Sequence, residues 1–417
     1  MLTKSFVAAL ALFASVHGAS STTNVCTEDE RTANSQADID NLSGCSTLEG
    51  NLILASTLGS ATINGIVNIT GNLIATNNSQ ITSIVAPSLA TIGGEFELNV
   101  LTVLSTLSFP ALTSVGSINW VTLPSVGGLD FTTGINSSDN VYISDTGLSS
   151  LDGINLTTVD NFELNNNLNL DDVEMGVKSV SNHIDISFNG NTAVSFPSLV
   201  WANNLTFQDV SSLTTPYLST VNASYLLINN TFTSVAAPNL TTVGGLYVQD
   251  NKQLTNISFP ALKTVGSAGI EVSNNTDLEK FSFPVVQTVV GAIVLDGDFE
   301  EASFPKLTVV RGAVSIDSTG DFNCTDFNDL NSSGGIRGND YKCEAASTTS
   351  TSSGTATATS SVASATSADA TTTSTSVATT AAAAAATTTH KSSAGELAGA
   401  STFVIGGAIT AFFLGLF

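Results

Sequence analysis

The sequence predicts a mainly β protein built as a parallel β-solenoid of about thirteen rungs. One observation is a repeat: within residues 237–275 the pattern Pro-x-Leu-x-x-Val-Gly occurs twice, beginning at Pro238 and at Pro260. Another is that a short alternating run follows each copy, LYV at 246–248 and IEV at 270–272. One such run cannot bury its two inward side chains alone, so successive copies must pair strand to strand and share a core.

The unit recurs through most of the chain at intervals of 20 to 24 residues. The predicted inward pairs begin at residues 52, 73, 96, 118, 141, 162, 184, 205, 226, 246, 270, 293 and 314. At the ninth start we expect Leu226 and Ile228 to point inward. At about 4.8 Å per rung the stack would measure about 60 Å. The repeats between Pro124 and Pro197 lack the proline, which leaves open a kink or a division of the solenoid, 51-320, into two lobes.

Two residue types recur at one phase of the repeat and predict internal ladders. The expected phenylalanines precede prolines: Phe109, Phe196, Phe259, Phe283 and Phe304. The expected asparagines end strands, where an amide can satisfy backbone groups at a tight corner: Asn78, Asn166, Asn189, Asn230, Asn251 and Asn275.

The charge balance argues against a nucleic-acid partner. The formal net charge is −24, and the 11 lysines and arginines are scattered rather than grouped in a basic patch. Without such a patch there is no counterion release to drive binding to phosphates.

Residues 1-19 read as a secretory signal, with Lys4, an apolar run and small residues before cleavage after Gly18 or Ala19. A secreted chain permits disulfides, and the four cysteines lie at the two ends of the repeat array. Three pairings are possible; local pairs separated by 19 residues are the simplest, because terminal rungs need caps. The expected bonds are Cys26–Cys45 in an N-terminal cap, 20-50, and Cys324–Cys343 in a C-terminal cap, 321-345. No metal site is expected from cysteine pairs at opposite ends.

Sequons are dense, as in a secreted glycoprotein, and we expect more than half to carry N-glycans. They are Asn41, Asn68, Asn77, Asn136, Asn155, Asn204, Asn222, Asn229, Asn239, Asn256, Asn274, Asn323 and Asn331.

The C-terminal region reads as a stalk followed by a lipid-anchor signal. Residues 346-393 are mostly Ser, Thr and Ala, a composition that cannot build a core and that fits an O-glycosylated stalk. Residues 394-417 contain a short spacer and the apolar tail TFVIGGAITAFFLGLF. Small residues, a spacer and a terminal apolar tail predict a glycosylphosphatidylinositol (GPI) signal, with attachment at Ser393 or at the adjacent Ser392 or Ala394. The alternative is a transmembrane tail anchor, for which the tail is short and lacks a basic flank.

In this order, the signal, the repeats of form P-x-L-x-x-V-G-x-(L/I)-x-(V/I), the terminal cysteines, the stalk and the anchor signal resemble the fungal GPI-anchored cell-wall organisation proteins, which include sporulation-specific wall proteins. The resemblance covers nearly the whole chain. It implies a mannoprotein of the plasma membrane and wall, needed for wall integrity and morphogenesis, with wall polysaccharide or wall proteins as partners. The likeness to receptor L domains implies a right-handed solenoid related to leucine-rich repeats. No catalytic residue or cofactor carries over.

An enzymatic alternative needs two carboxylates about 5 to 9 Å apart beside a sugar cleft. The candidate acidic groups are Asp171, Asp172 and Glu174; Asp296, Asp298, Glu300 and Glu301; and Glu28, Asp29 and Glu30. None lies in a recognisable glycosidase motif, and His183 is the one histidine between signal and stalk. We therefore expect no enzyme, no cofactor and no small-molecule substrate.

A third hypothesis is a β-glucan- or chitin-binding module, which a row of exposed aromatic side chains would favour. Tyr142 and Tyr247 are expected to point outward from their strands, whereas Trp120 and Trp201 are expected to be inward or junctional.

Overall fold

The computed structural model describes residues 24–345, and its strands pair in parallel throughout. The signal (1-19), the stalk (346-393) and the GPI signal (394-417), with Ser393, lie outside the described residues. The predicted parallel β-solenoid is confirmed.

The first ten strands are β1 (Glu30–Ala33), β2 (Thr47–Leu48), β3 (Asn51–Leu54), β4 (Ala61–Thr62), β5 (Asn68–Ile69), β6 (Leu73–Thr76), β7 (Ser83–Val85), β8 (Thr91–Asn99), β9 (Thr106–Ser108) and β10 (Ser114–Leu123). The next ten are β11 (Asn140–Thr146), β12 (Thr158–Asn165), β13 (Asp172–Glu174), β14 (Ser179–Ser187), β15 (Thr192–Ser195), β16 (Trp201–Gln208), β17 (Val210–Thr214), β18 (Thr220–Ile228), β19 (Ser234–Ala236) and β20 (Thr242–Gln249). The others are β21 (Asn256–Ser258), β22 (Thr264–Ser273), β23 (Lys280–Ser282), β24 (Thr288–Val289), β25 (Ile293–Gly297), β26 (Glu301–Ser303), β27 (Val309–Val310), β28 (Val314–Ser318) and β29 (Tyr341–Ala345). The helices are α1 (Gln36–Asp40) and α2 (Thr325–Ser332).

One long sheet runs through the whole described region. Its strands pair in the order β1, β3, β6, β8, β10, β11, β12, β14, β16, β18, β20, β22, β25, β28 and β29. All thirteen predicted starts lie in these strands. The sequence did not reveal β1 and β29, which the two caps add to the ends of the sheet.

The repeats without proline interrupt the short strands but not the long sheet. Short strands form a three-stranded sheet of β4, β7 and β9 and a seven-stranded sheet from β13 to β26. Between β9 and β13, only isolated bridges join neighbouring rungs on the side of the solenoid that carries the short strands. Because β10, β11, β12 and β14 still pair in register, the long sheet continues through the region where a kink or division had been left open.

Inward side chains form a continuous core between the sheets. Twelve of the thirteen predicted inward pairs are buried as expected, and Trp120 is fully buried. Phe259 and Phe283 stack with ring centroids 6.2 Å apart, and Phe283 and Phe304 with centroids 5.1 Å apart, which confirms the Phe ladder at these rungs. Phe109 and Phe196 instead meet neighbouring aromatic rings in tilted or edge-on contacts.

The expectation for the ninth pair is wrong by one residue. Tyr225 and Leu227 point inward, paired with Leu205 and Phe207, while Leu226 and Ile228 face outward. Since strand side chains alternate between faces, a slip of one residue exchanges the faces completely. The slip was hidden because all four residues of the YLLI run are compatible with burial.

Buried asparagines form the expected ladder at the corners after β12, β14, β18, β20 and β22, whereas Val210 takes that position after β16. The backbone N–H of Asn251 donates to Asn275 Oδ1 over 2.9 Å, and the backbone N–H of Asn230 donates to Asn251 Oδ1 over 2.9 Å. Asn167 and Asn189 are joined in the same way. The ladder residue at this rung is therefore Asn167, not Asn166, which is exposed with a φ of 57°.

Both caps contain the expected disulfides, Cys26–Cys45 and Cys324–Cys343. In the last strand Cys343 pairs with Ile316 and takes an inward position of the core column. In the first strand Arg31 takes that position next to Leu52, and its Nη1 donates to the carbonyl of Glu49 over 2.6 Å. At the C-terminal end, the inward column of the core therefore ends at a disulfide-bonded cysteine. At the N-terminal end, it ends at the buried guanidinium of Arg31, which donates to a backbone carbonyl.

Candidate functional site

The long sheet presents an outward face that extends over all fifteen of its strands, and we call it the long-sheet face. Its central column consists of side chains that lie in register on consecutive strands. They are Thr32, Ile53, Ile74, Glu97, Asn119, Tyr142, Glu163, Asp185, Thr206, Leu226, Tyr247, Glu271, Val294, Ser315 and Lys342.

A second column lies two residues further along on thirteen of these strands, while on the other side of the central column the outward positions of β14, β16 and β18 carry His183, Asn204 and Ser224. The members of the second column are Thr76, Asn99, Val121, Ser144, Asn165 and Ser187, then Gln208, Ile228, Gln249, Ser273, Asp296, Asp317 and Glu344. The two columns hold carboxylates on seven strands and a single lysine, Lys342, on the last strand. The face is therefore suited to a neutral or cationic partner and unsuited to an anionic one.

Carboxylates at the centre of this face are partly desolvated. Nε2 of His183 lies 2.7 Å from Oε1 of Glu163, and the hydroxyl of Ser187 donates to Asp185. Burial raises the pKa of Asp185 and outweighs the opposing bond from Ser187. Burial also raises the pKa of Glu97, helped by the nearby charge of Glu95.

The sequons avoid both columns of the long-sheet face. Asn77, Asn229 and Asn274 are exposed at corners beyond the strands, and most others lie on turns, short strands or the caps. Two are only half exposed, Asn68 and Asn204. Asn204 borders the face, and its Oδ1 accepts from the hydroxyl of Ser224 over 2.8 Å. Occupancy at all thirteen sequons stays a prediction.

The acidic groups considered for catalysis do not line an enclosed sugar-sized cleft. Asp171, Asp172 and Glu174 are exposed around β13. Glu300 and Glu301 border a cavity of about 120 Å³ near Asp326, smaller than the roughly 300 Å³ at which ligand pockets begin. Oε2 of Glu300 is also 2.8 Å from Nζ of Lys280.

The third acidic group lies in the N-terminal cap. Glu28 and Glu30 border an open cavity of about 330 Å³ whose wall includes Arg31 and Asp38. Oδ2 of Asp38 accepts from the hydroxyl of Ser35, and this bond is the main cause of its lowered pKa. These contacts stabilise the cap, as does the ion pair of Arg31 Nε with Glu28 Oε2 at 4.0 Å.

Exposed aromatic side chains are few and differ from those expected. Tyr142 and Tyr247 are half-buried on the long-sheet face, and the Tyr247 hydroxyl donates to the carbonyl of Ala268 over 3.2 Å. Trp201 is partly exposed at the start of β16. Sequence reasoning missed Tyr217 and Phe188, the most exposed aromatic residues within 24–345. Phe188 lies at a corner where seven of the other nine positive-φ residues are Asn or Asp, a break in pattern that an alignment of the repeats would have shown.

No group of three or more potential metal-binding side chains occurs within residues 24–345. In the same region no helix has the length and apolar character needed to cross a membrane.

The similarity to known proteins identifies the family. Protein ecm33 of Aspergillus fumigatus is 39% identical over 323 residues, which is 77% of this chain and 81% of that protein. The chain belongs to the Ecm33 family of fungal cell-wall proteins. The cell wall mannoprotein PST1 of Saccharomyces cerevisiae is 36% identical over 202 residues, and the cell surface GPI-anchored protein ECM33 of Candida albicans is 33% identical over 219 residues. These two matches span about half the length of each relative, 45% and 53%.

No protein-family model matches the chain, and no solved structure matches it. The family assignment confirms the resemblance stated from the sequence. It places this Ecm33-family protein at the fungal cell surface and in the wall.

Proposed function

We propose that the protein is a non-catalytic, GPI-anchored glycoprotein that supports wall organisation, integrity and morphogenesis by presenting its long-sheet face to wall polysaccharide or wall proteins. The observation that carries this proposal is the long-sheet face itself. It extends in register over fifteen strands and contains no sequon in either column. N-glycans at the predicted sequons would leave both columns open to partners, with Asn204 at their border.

A glycan placed on the face tests the proposal. Glu271→Asn creates a sequon with the following Val272 and Ser273 in the central column, and the attached glycan would cover neighbouring strands. In a strain that lacks the gene, we expect this variant to leave growth on wall-binding dyes as impaired as in the deletion strain. Glycosylation itself is verified by a mass loss on endoglycosidase treatment.

Glu271→Gln is the matched control, since it removes the same charge without attaching a glycan. The additional loss in Glu271→Asn then reports the bulk of the sugar. If Glu271→Asn is fully glycosylated and folded and still restores growth as well as Glu271→Gln does, the long-sheet face is not the functional surface.

The absence of catalysis is a separate part of the proposal. Two observations support it: the cavity that Glu300 and Glu301 share is small, and in the open cavity of about 440 Å³ Glu301 is the only acidic residue among the described residues that line it, so no carboxylate pair lies there. Purified protein incubated with labelled β-glucan or chitin oligosaccharides should give neither shortened nor elongated products. Transfer or hydrolysis that is lost on Glu301→Gln would show a wall transglycosidase instead.

A further inference from the structure

One corner of the solenoid carries an exposed aromatic residue in a strained backbone conformation. On ten consecutive rungs, from Asn77 to Asn274, a non-glycine residue at this corner adopts a positive φ, and on seven of them it is Asn or Asp, which tolerate this region. Phe188 occupies the position with a φ of 59°. For a bulky side chain this conformation is unfavourable, and residues held in it concentrate at functional sites.

Core packing does not explain the phenylalanine. The Phe188 side chain is 49% exposed, so the burial that would offset the strain is largely missing. On the adjacent rung Leu168 is 72% exposed, the highest value among the large apolar residues within 24–345. An exposed pair of this kind lowers solubility without strengthening the core, which points to a ligand that covers it.

The two apolar side chains border an open groove of about 420 Å³ with a polar wall. We call it the Phe188 groove; its lining residues are Asn166, Leu168, Phe188, Gly190, Asn191 and Asp209. The floor requires a glycine. Gly190 has a φ of 74°, and a Cβ there would lie 2.8 Å from the carbonyl oxygen of Leu168. A side chain at position 190 would therefore collide with the backbone of the neighbouring rung and would occupy part of the groove.

The polar wall is held in place by its own hydrogen bonds. Asn191 Oδ1 accepts from the hydroxyl of Thr231 over 2.6 Å, and Asp209 Oδ1 accepts from Asn229 Nδ2 over 2.6 Å. Within the described chain, Asn191 Nδ2 and Asp209 Oδ2 make no hydrogen bond. One fixed donor and one fixed acceptor thus lie in the same groove as an exposed aromatic ring.

We propose that the Phe188 groove binds a neutral β-linked pyranose polymer of the glucan or chitin type. The apolar C–H face of a pyranose ring covers the Phe188 ring, while its hydroxyls accept from Asn191 Nδ2 and donate to Asp209 Oδ2. The carboxylate and the lack of any lining cation exclude an anionic polysaccharide. This inference depends on the proposed function in one respect: a protein of the cell wall has such polymers around it.

The sequon pattern agrees with this assignment. The corner positions from Val100 to Asp209 are free of sequons, whereas Asn77 precedes this stretch and Asn229 follows it. The corner of the Phe188 rung itself therefore carries no N-glycan, and the corner sequon that follows is Asn229, whose Nδ2 binds the lining residue Asp209.

The test measures binding of β-1,3-glucan hexasaccharide and of chitohexaose to the full-length protein, purified in detergent. We expect one of the two to bind, which also identifies the source of the sugar. Phe188→Asn should lower the affinity at least tenfold and should leave Tm equal or higher, because Asn fits the positive φ. Failure of both sugars to bind the unaltered protein at millimolar concentration would overturn the inference, as would unchanged affinity in Phe188→Asn.

Val100→Asp is the matched control, since Val100 is also a non-glycine residue with a positive φ, 54°. It relieves strain at a distant corner, should leave the affinity unchanged within twofold, and avoids the sequon that Asn would create with Leu101 and Thr102. If Phe188→Asn fails to fold, Asn191→Ala tests the polar wall, and unchanged sugar affinity in that variant would equally overturn the inference. The glycan introduced by Glu271→Asn lies on the long-sheet face, so its outcome is independent of the Phe188 groove.

Discussion

Buried asparagines in the middle of the corner ladder, such as Asn230 and Asn251, bond to the rungs on both sides of them. Asn251 Nδ2 donates to the carbonyl of Leu227 over 2.9 Å and to Asn275 Oδ1 over 3.1 Å, while its Oδ1 accepts from Asn230. One side chain therefore satisfies polar groups of three consecutive repeats. A buried group that loses its partner costs about 1–3 kcal/mol.

We expect Asn251→Ala to lower the free energy of unfolding by about 2–4 kcal/mol, since it leaves more than one buried group without a partner. Urea unfolding followed by circular dichroism measures the change. Lys252→Ala, at the exposed neighbouring position, should stay within about 0.5 kcal/mol. Equal stability of the two variants would mean that the ladder asparagines are not structural.

The raised pKa of Asp185 makes the stability of the folded protein depend on pH. Burial raises its pKa in the folded state, so the folded protein binds this proton more tightly than the unfolded chain does. Its contribution to stability is then present below the ordinary aspartate pKa of 3.8 and is lost as pH rises through the folded-state value. Its charged neighbours, Glu163 and His183, act in opposite directions on the same pKa.

Replacing Asp185 with Thr, the residue next to it in the column, removes this titration. The gain in free energy of unfolding over the unaltered protein should be larger at pH 7 than at pH 3.5. Asn is unsuitable as the replacement because it would form a sequon with the following Ile186 and Ser187. The same gain at both pH values would contradict a raised pKa.

At the scale of elements, the period of the repeat was enough to predict the long sheet, because alternation and spacing alone assign most inward pairs. It failed at Tyr225, where four consecutive apolar residues give two equally good registers. It also failed at Asn166 and Asn167, since both residues of the pair are asparagine and only the backbone decides which turns inward. The terminal strands β1 and β29 belong to no repeat and carry no periodic signal.

The sequence alone could not locate the long-sheet face or the Phe188 groove. Sequons and acidic residues can be counted in the sequence. That the two columns of the long-sheet face lack sequons and carry carboxylates follows only from the register of its fifteen strands. The Phe188 groove depends on backbone conformation at Phe188 and Gly190, which no hydrophobic pattern encodes.

Removing the disulfide of the C-terminal cap should loosen only the last rungs of the solenoid. Removing Cys324–Cys343 with the double substitution Cys324→Ala and Cys343→Ala opens a loop of sequence separation 19, which costs about 3 kcal/mol in the chain-entropy estimate. Because rungs contact mainly their neighbours, the effect should be confined to the end of the stack. Hydrogen exchange should increase in β28 and β29 and stay unchanged in β3 and β6. Increased exchange along the whole sheet would show that the solenoid unfolds as one unit.

At the scale of the whole molecule, the sequence of the C-terminal region predicts a Ser/Thr/Ala-rich stalk followed by a lipid-anchor signal. The stalk composition cannot build a core. The predicted lipid anchor can be tested directly with an enzyme that cleaves it.

Phosphatidylinositol-specific phospholipase C should therefore release the protein from fungal membranes into the soluble fraction. Because Ser392, Ser393 and Ala394 are all small, a single change at Ser393 would let attachment move to a neighbour. Replacing all three with Gln should block cleavage of the propeptide and abolish surface display, whereas three Gln substitutions within 376–378 of the stalk should leave display intact. Retention in the membrane pellet after lipase treatment, under conditions that release another GPI-anchored protein, would show a tail that spans the bilayer as a peptide anchor.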